Sequence, residues 1–433
     1  MQKNKSLALV VFITIFVLVL CSCAPKVTDF NPKSGNEGTV VTVDGKNFKP
    51  SAEKNIVKFG DTVAVDVLEA KNNQIRVKVP AGAHTAQISV KTSWGTGYSE
   101  KEFIITGKGF ALAIGLNQVD PAHYSGWSGN LTGCEPDAAV MADIAAKQGF
   151  QTETLLTAQA TRGAVISKLK ELADKMQAGN LLAVSYSGHG GQVPDQNGDE
   201  ADGLDETWCL YDGQLLDDEL YGAWAKFRPG IRILVFSDSC HSGTVLKMIR
   251  SDFEKPTEMR INNLERDWSK LHILPKMDRG KIKSLLVTRP EKAEKPKVPP
   301  QKAPADLFVS RLAPPKILTL TFQKNMQFYI KIGTDAPKEN DPNLKVEASA
   351  ILISGCKDDQ SSADLGFNGL FTLMLKQVWN NGEFGGNYID FQRAIRDKVL
   401  QVNSEQSPEF FTVGASQVLI EEFTSQKPYK IGS

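Results

Sequence analysis

Several features that would have declared a function class early are missing from this chain. Its 50 Lys and Arg residues are matched by 50 Asp and Glu residues, so the formal net charge is zero. A nucleic-acid binder needs surplus cations to displace counterions, and neutrality argues against that class. Six cysteines in 433 residues are too few for a disulfide scaffold and too scattered for a zinc ribbon. The five histidines form no cluster with cysteine at the spacing of a zinc site. After residue 20 no hydrophobic run is long enough to span a bilayer. What remains is ordinary globular composition, 41% hydrophobic and 23% charged, in a length that suggests two or three domains.

At the N-terminus, Lys3 and Lys5 precede an apolar run from Leu7 to Leu20, interrupted by Thr14. That length suits the h-region of a signal peptide better than a membrane span. The following Leu20-Cys21-Ser22-Cys23-Ala24 resembles a bacterial lipobox, with Ser22 at the small position before the lipidated Cys23. Cys21 fits less well, because bulky Leu20 would stand at the cleavage site. The expectation is a signal peptide over 1–22 and a body held outside the cytoplasm by lipid on Cys23, at the outer membrane or facing the periplasm. A plain secretory signal or short anchor is the alternative.

Residues 23–107 read as a small all-β domain. Ile75-Arg76-Val77-Lys78-Val79 and Ala86-Gln87-Ile88-Ser89-Val90-Lys91 alternate apolar and polar side chains, as half-buried strands do. Turn residues recur at Asn31-Pro32, Asp44-Gly45, Phe59-Gly60 and Pro80-Ala81-Gly82. Short strands with frequent turns predict a β-sandwich. Pro32-Lys33-Ser34-Gly35, Gly38 to Val43, Gly45-Lys46-Asn47-Phe48, Val57 to Gly60, Val79 to Gly82 and Phe103-Ile104-Ile105 resemble the IPT/TIG immunoglobulin-like family. The resemblance implies a spacer, interaction or glycan-binding module, and does not choose among them.

From residue 108 the rhythm changes to buried strands alternating with helices. Near-continuous apolar runs at 110–116, 181–186, 231–236 and 350–354 are separated by helical patterns, first at 138–148 and 164–176. This predicts an α/β fold, a mostly parallel sheet with helices on both faces, which binds ligands at the carboxyl ends of its strands. Two of those ends carry chemistry. The run 181–186 leads into Ser187-Gly188-His189-Gly190-Gly191, and 231–236 leads into Ser237-Asp238-Ser239-Cys240-His241-Ser242-Gly243. A parallel sheet would bring His189 and Cys240 to one edge, where imidazole and thiolate can attack a carbonyl and protonate a leaving amine. The glycines leave room for backbone N–H groups to approach a substrate oxygen. His241 neighbours Cys240 but should point elsewhere. His84, His123 and His272 read as ordinary histidines.

The same residues resemble the caspase-like cysteine peptidases, in particular the metacaspases. Tyr186 to Gly191 is similar to their histidine motif and Asp238 to Gly243 to their nucleophile motif. Further matches run from Leu131 to Ala138 and from Ser354 to Asp364. The resemblance implies cleavage after Arg or Lys, with Asp137, Ser187 and Asp238 lining an acidic pocket and the N–H groups of Gly190 and Cys240 as oxyanion donors. It also implies calcium on oxygen ligands in the acidic region, with Asp205, Asp217 and Asp218 as candidates. Lys247 stands where the family has a further carboxylate, which speaks against calcium. The acidic run from Asp195 to Glu206 departs from an EF-hand, since Glu200 occupies the glycine position and no flanking helices are expected.

Residues 247–345 break the strand–helix rhythm and read as an insertion. Its segment 289–304 is rich in Pro and Lys, an exposed linker and a candidate for self-cleavage. Helices at 370–378 and 391–400 complete the α/β layer in 346–433. The expectation is an endopeptidase acting on Arg- or Lys-containing protein substrates, with Cys240 as nucleophile and His189 as proton donor. No cofactor is needed for that chemistry, and no orienting carboxylate for His189 can be named. The rival from another class is a non-catalytic surface-binding lipoprotein using the same scaffold, or one led by its β module. Cys134, Cys209 and Cys356 allow at most one disulfide among them.

Overall fold

The computed structural model describes residues 23–200, 202–240, 308–338, 341, 343–357 and 360–432. The expected signal peptide, His241, Lys247, His272 and the linker at 289–304 lie outside the described residues. No helix among the described residues is long and apolar enough to cross a membrane.

Alternating side chains build the N-terminal sandwich. One sheet holds Lys26–Asn31 (β1), Val40–Lys46 (β3), Gln74–Lys78 (β7) and Val67–Ala70 (β6), in the order β1-β3-β7-β6. The other holds Ser34–Gly35 (β2), Gly95–Ile105 (β9), Ala86–Thr92 (β8), Ile56–Phe59 (β4) and Thr62–Val63 (β5), in the order β2-β9-β8-β4-β5. Ile75 and Val77 enter the core while Arg76 between them is exposed. The Phe103 ring anchors that core, meeting Phe59 edge-on at 5.2 Å and Phe30 at 6.0 Å. Gly60 and Gly82 turn the chain at positive φ, as expected. Asp44-Gly45 does not: it lies inside β3, where a Cβ on Gly45 would come 2.2 Å from the Lys26 carbonyl oxygen. That glycine serves close strand passage rather than a turn.

The α/β body is built on six strands. They are Gly109–Gly115 (β10), Gln151–Leu156 (β11), Leu181–Ser187 (β12), Arg232–Asp238 (β16), Ser349–Ser354 (β18) and Glu409–Val413 (β20), in the order β11-β10-β12-β16-β18-β20. All neighbours are parallel except β18 and β20. Ala113, Leu234, Phe236, Ile351 and Ile353 share one core with the helices Cys134–Lys147, Leu370–Trp379 and Tyr388–Val402. Their neighbours Leu112, Ile114, Val235 and Leu352 are equally buried. Both faces of these central strands are covered, hence the continuous apolar runs. β11 is a half-exposed edge, so it left no such run in the sequence.

A second small sheet stands at the carboxyl ends of these strands. Gly190–Pro194 (β13), Leu204–Leu210 (β14) and Gly213–Leu216 (β15) form an antiparallel sheet bearing the acidic loop. Within the stretch read as insertion, the later residues return to the body. Val309–Ser310 (β17) pairs with Ala363–Asp364 (β19), and the helices Pro315–Lys324 and Met326–Asp335 follow. Leu318 packs with Val119, Tyr124 and Cys209. The sandwich meets the opposite end of the sheet, where Glu37 reaches Arg228 at 3.8 Å and the Ala178 N–H at 3.3 Å.

Candidate active site

Strand register brings the expected pocket residues together. Gly115, Ser187 and Asp238 are successive partners across β10, β12 and β16, so Ser187 and Asp238 leave the sheet side by side. Asp137 comes from the first turn of the helix that follows β10. It accepts the Ser187 hydroxyl at 2.8 Å, the Asn368 amide at 2.8 Å and the Gly369 N–H at 3.0 Å. Asp238 accepts the Thr372 N–H and hydroxyl at 3.1 and 2.8 Å and the Ser362 hydroxyl. Both carboxylates are thus fixed by donors before any ligand is considered.

A cation from the chain itself sits among them. Arg311 is 0% exposed. Its Nη2 lies 2.8 Å from Asp137 Oδ2 and 3.2 Å from Asp364 Oδ2, and its Nη1 lies 3.0 Å from Asp238 Oδ2. Nη1 also donates to the Ser187 hydroxyl at 2.8 Å and the Asp238 carbonyl at 3.0 Å. Burial would lower the guanidinium pKa, but Asp238, Asp137 and Asp364 hold it well above its ordinary value. Burial pushes Asp137 up to about 6 in spite of Arg311. Three carboxylates around one cation leave residual negative charge, and a buried cation without them would be untenable.

The Arg311 backbone is equally engaged. Its carbonyl oxygen accepts the Gly190 N–H at 3.0 Å, and its own N–H donates to the Ser362 carbonyl at 3.0 Å. Gly190 lies against the nucleophile candidate: a Cβ there would fall 1.8 Å from the Cys240 carbonyl oxygen. Cys240 is buried; its sulfur accepts the Ser362 N–H at 3.3 Å, and its thiol donates to Ser361 Oγ at 3.3 Å. Burial opposes ionisation of the thiol, yet contacts from Cys356, Ser361 and Ser362 and the Arg311 charge outweigh it and lower the pKa.

His189 is held by a group that sequence could not supply. Its Nε2 lies 3.0 Å from the Gly129 carbonyl oxygen, which requires the proton on Nε2 and leaves the Nδ1 lone pair as the only basic site. Nδ1 is buried without a hydrogen-bond partner. The Trp127 ring covers the imidazole at 4.7 Å. Burial drops the His189 pKa to about 4, so the ring is neutral in this state. The Tyr186 hydroxyl ties the turn down by donating to the His189 carbonyl at 2.7 Å.

The acidic loop forms a second cluster. Asp195, Asp199 and Asp205 converge, as do Glu200, Glu206 and Asp217. Neither Asp205 oxygen has a hydrogen-bond partner, nor does Asp217 Oδ2, and both residues are buried. Asp218 accepts the Asn197 amide at 2.6 Å. Burial and the neighbouring carboxylates raise Asp205 and Asp218 to about 8, and Asp217 well above its ordinary value. An all-oxygen set with buried, unpartnered carboxylates fits a hard divalent cation such as calcium. Strands flank the loop rather than helices, unlike an EF-hand.

Of the other candidates, His123 stays apart from these groups. His123 is bonded to Tyr329 Oη at 2.7 Å within an aromatic cluster. Among the described residues Cys134, Cys209 and Cys356 are buried and in no disulfide; Cys356 Sγ donates to the Ser239 carbonyl at 3.3 Å beside the nucleophile, Cys134 Sγ lies 3.9 Å from Asp364 Oδ2, and Cys23 is half-buried before β1. Three contributors had escaped sequence reasoning: Arg311, the Gly129 carbonyl and Asp364. Asp364 closes the motif beginning at Ser354 and could have been suspected. Nothing marked Arg311.

A parallel α/β sheet with cysteine, histidine and paired aspartates at its carboxyl edge defines a caspase-like fold. The profile of the caspase domain matches residues 108–419 and that of the IPT/TIG domain residues 25–102. The chain belongs to the caspase-domain family, a family of cysteine peptidases. It is similar to metacaspase-1A of Aspergillus niger, 31% identical over 46% of this chain and 52% of that protein, so it spans about half of that relative's length. It is 28% identical to metacaspase-1 of Schizosaccharomyces pombe over 76% of this chain and 73% of that one. A crystal structure of a protein from Geobacter sulfurreducens matches with a TM-score of 0.56 and 39% identity, over 75% of this chain and 99% of that one.

Proposed function

We propose that this protein is a cysteine endopeptidase of the metacaspase type that cuts peptide bonds after Arg or Lys. The observation that carries the reading is Arg311: its side chain is buried among Asp137, Ser187 and Asp238, while its carbonyl accepts the Gly190 N–H. A substrate Arg in the same position would present its scissile carbonyl to the Gly190 donor, next to Cys240. The Cys240 sulfur then adds to the carbonyl carbon, and the oxyanion is stabilised by the N–H groups of Gly190 and Cys240. The neutral His189 takes the thiol proton on Nδ1 and passes it to the departing amine. Water, deprotonated by the same nitrogen, releases the acyl group.

Two spaced donors on the guanidinium meet different carboxylates, an arrangement that suits Arg better than the single ammonium of Lys. In the acidic loop, Asp195, Asp199 and Asp205 would hold a calcium ion, with Asp218 nearby and Asp217 in a second group with Glu200 and Glu206. Such an ion would supply positive charge that fixes β14 and β15 beside the cleft. Lipid on Cys23 would tether the body outside the cytoplasm. The decisive experiment compares wild type with Cys240→Ala and His189→Ala on Arg- and Lys-peptide amides. Turnover lost in both variants is expected; equal turnover by Cys240→Ala refutes the assignment.

A further inference from the structure

We propose that the end of the β-sandwich at which Cys23 enters is a docking surface for an anionic phospholipid membrane, with Trp94 seated in the headgroup layer. The inference deepens the tether reading, on which it rests for the direction of approach, and uses nothing of the peptidase reading. The chain comes into the sandwich at Cys23-Ala24-Pro25, against the hairpin that joins β8 to β9. The Asn47 amide donates to the Ala24 carbonyl at 2.9 Å. A Cβ on Gly95 would lie 3.3 Å from the Ala24 Cβ, and one on Gly97 would lie 2.2 Å from the Pro25 carbonyl oxygen. Trp94 stands at the tip of that hairpin, 47% exposed, with Lys49 Nζ over its ring at 3.0 Å. A lipid chain on Cys23 would therefore leave the protein beside this tryptophan.

The same end is basic. Lys26 and Lys46 face each other across β1 and β3, and Lys91 lies opposite Ile56 and Thr96. Lys54 is in the turn that leads into β4. Neither these four nor Lys49 has an ion-pair partner among the described residues. Carboxylates of the same strand ends and turns have partners of their own. Asp44 accepts the Gln74 amide at 2.8 Å, Glu53 accepts the Ser51 hydroxyl, and Glu69 pairs with Lys71 at 2.7 Å. Strand alternation puts Ile56, Lys91 and Tyr98 on the outer face of their sheet, where Ile56 is 45% and Tyr98 62% exposed. Exposed Trp and Tyr rings ringed by unpaired lysines suit a boundary between lipid and water, the rings among the headgroups and the cations on phosphate. The α/β body meets the sandwich at its other end, through Glu37 and through Gly82, whose Cβ would lie 3.2 Å from Pro229. Docked this way, the sandwich stands between the membrane and the catalytic body.

The test uses residues 23–433 with Cys23→Ser, a parent that cannot carry lipid, co-sedimented with phosphatidylcholine vesicles that contain or lack phosphatidylglycerol. The parent should bind the anionic vesicles and be released by high salt. Lys49→Gln with Lys91→Gln should weaken binding at least about tenfold, and Trp94→Ala at least about fivefold. Lys170→Gln with Lys376→Gln, which removes as much charge from exposed helix positions of the α/β body, should bind like the parent. Brominated acyl chains should quench tryptophan emission of the parent more than that of Trp94→Phe; equal quenching overturns the seat of Trp94. Equal binding to vesicles without phosphatidylglycerol, or equal loss in the two lysine pairs, overturns the docking surface. Retention on insoluble cell-wall glycan that Trp94→Ala abolishes, with no vesicle binding, overturns it in favour of a glycan site. Acylation of the full-length protein, lost in Cys23→Ser, is measured separately: its absence overturns the tether reading, whereas the vesicle result alone decides the docking surface.

Discussion

Two clusters of buried carboxylates lie at the same edge of the sheet, and they are satisfied in opposite ways. Around Arg311, Asp137, Asp238 and Asp364 each contact a guanidinium nitrogen and also accept hydrogen bonds from the protein. In the acidic loop, Asp205 and Asp217 are just as buried, yet carboxylate oxygens of both lack a hydrogen-bond partner. Burial of an unpaired ion costs several kcal/mol, so each cluster calls for a cation. The first takes one from the chain; the second would take one from solution. A cation that arrives by folding is fixed with the fold, whereas one that arrives by binding follows concentration and pH.

The largest expected effect breaks the first cluster. Asp238→Asn removes the charge that touches Arg311 Nη1 at 3.0 Å. Truncating one partner of a buried hydrogen-bonded charge pair costs 2–5 kcal/mol, so kcat/KM on Arg amides should fall by about 10²–10³-fold. A fall of less than threefold would remove Asp238 from the pocket. Next comes Gly369→Ala, which leaves every charge in place. Its added methyl would lie 2.3 Å from Asp238 Oδ2 and 2.6 Å from Arg311 Nη1. Because a misplacement of about 1 Å can cost 10²-fold, Arg amides should lose roughly that factor in kcat/KM. Unchanged kinetics would show that the pocket is not that tightly built.

The two clusters were also unequally legible. Ser187, His189, Asp238 and Cys240 stood at the ends of continuous apolar runs, and parallel register alone brings such ends together. Asp137 followed from its motif near the start of a helix. Arg311 lies 73 residues beyond Asp238, in a stretch read as insertion, and its neighbours Ser310 and Leu312 are unremarkable. Its importance comes from a contact between distant parts of the chain, which periodicity does not encode. The Gly129 carbonyl at His189 Nε2 was invisible for another reason, because every residue has a carbonyl. Edge strand β11 was missed because half-exposed residues leave no apolar run. In the acidic loop the residue types were plain, but which of them are buried and unpartnered was not.

The smallest expected effect sharpens the second cluster, and its sign follows from linkage. Asp205 and Asp218 have folded pKa values raised from 3.8 to about 8, chiefly by burial. The folded state therefore binds more protons than the unfolded state between roughly pH 4 and pH 8, and stability falls as pH rises through that window. Without calcium, the melting temperature should decline from pH 5 to pH 8. A divalent ion replaces those protons, so at pH 8 saturating calcium should raise the melting temperature by about 5 °C and flatten the pH profile. Asp205→Asn should abolish most of the calcium response while raising the calcium-free stability at pH 8, since it deletes an uncompensated charge. Magnesium, which favours smaller octahedral sites, should do less. A melting temperature at pH 8 that ignores calcium in wild type would mean that protons alone balance this loop.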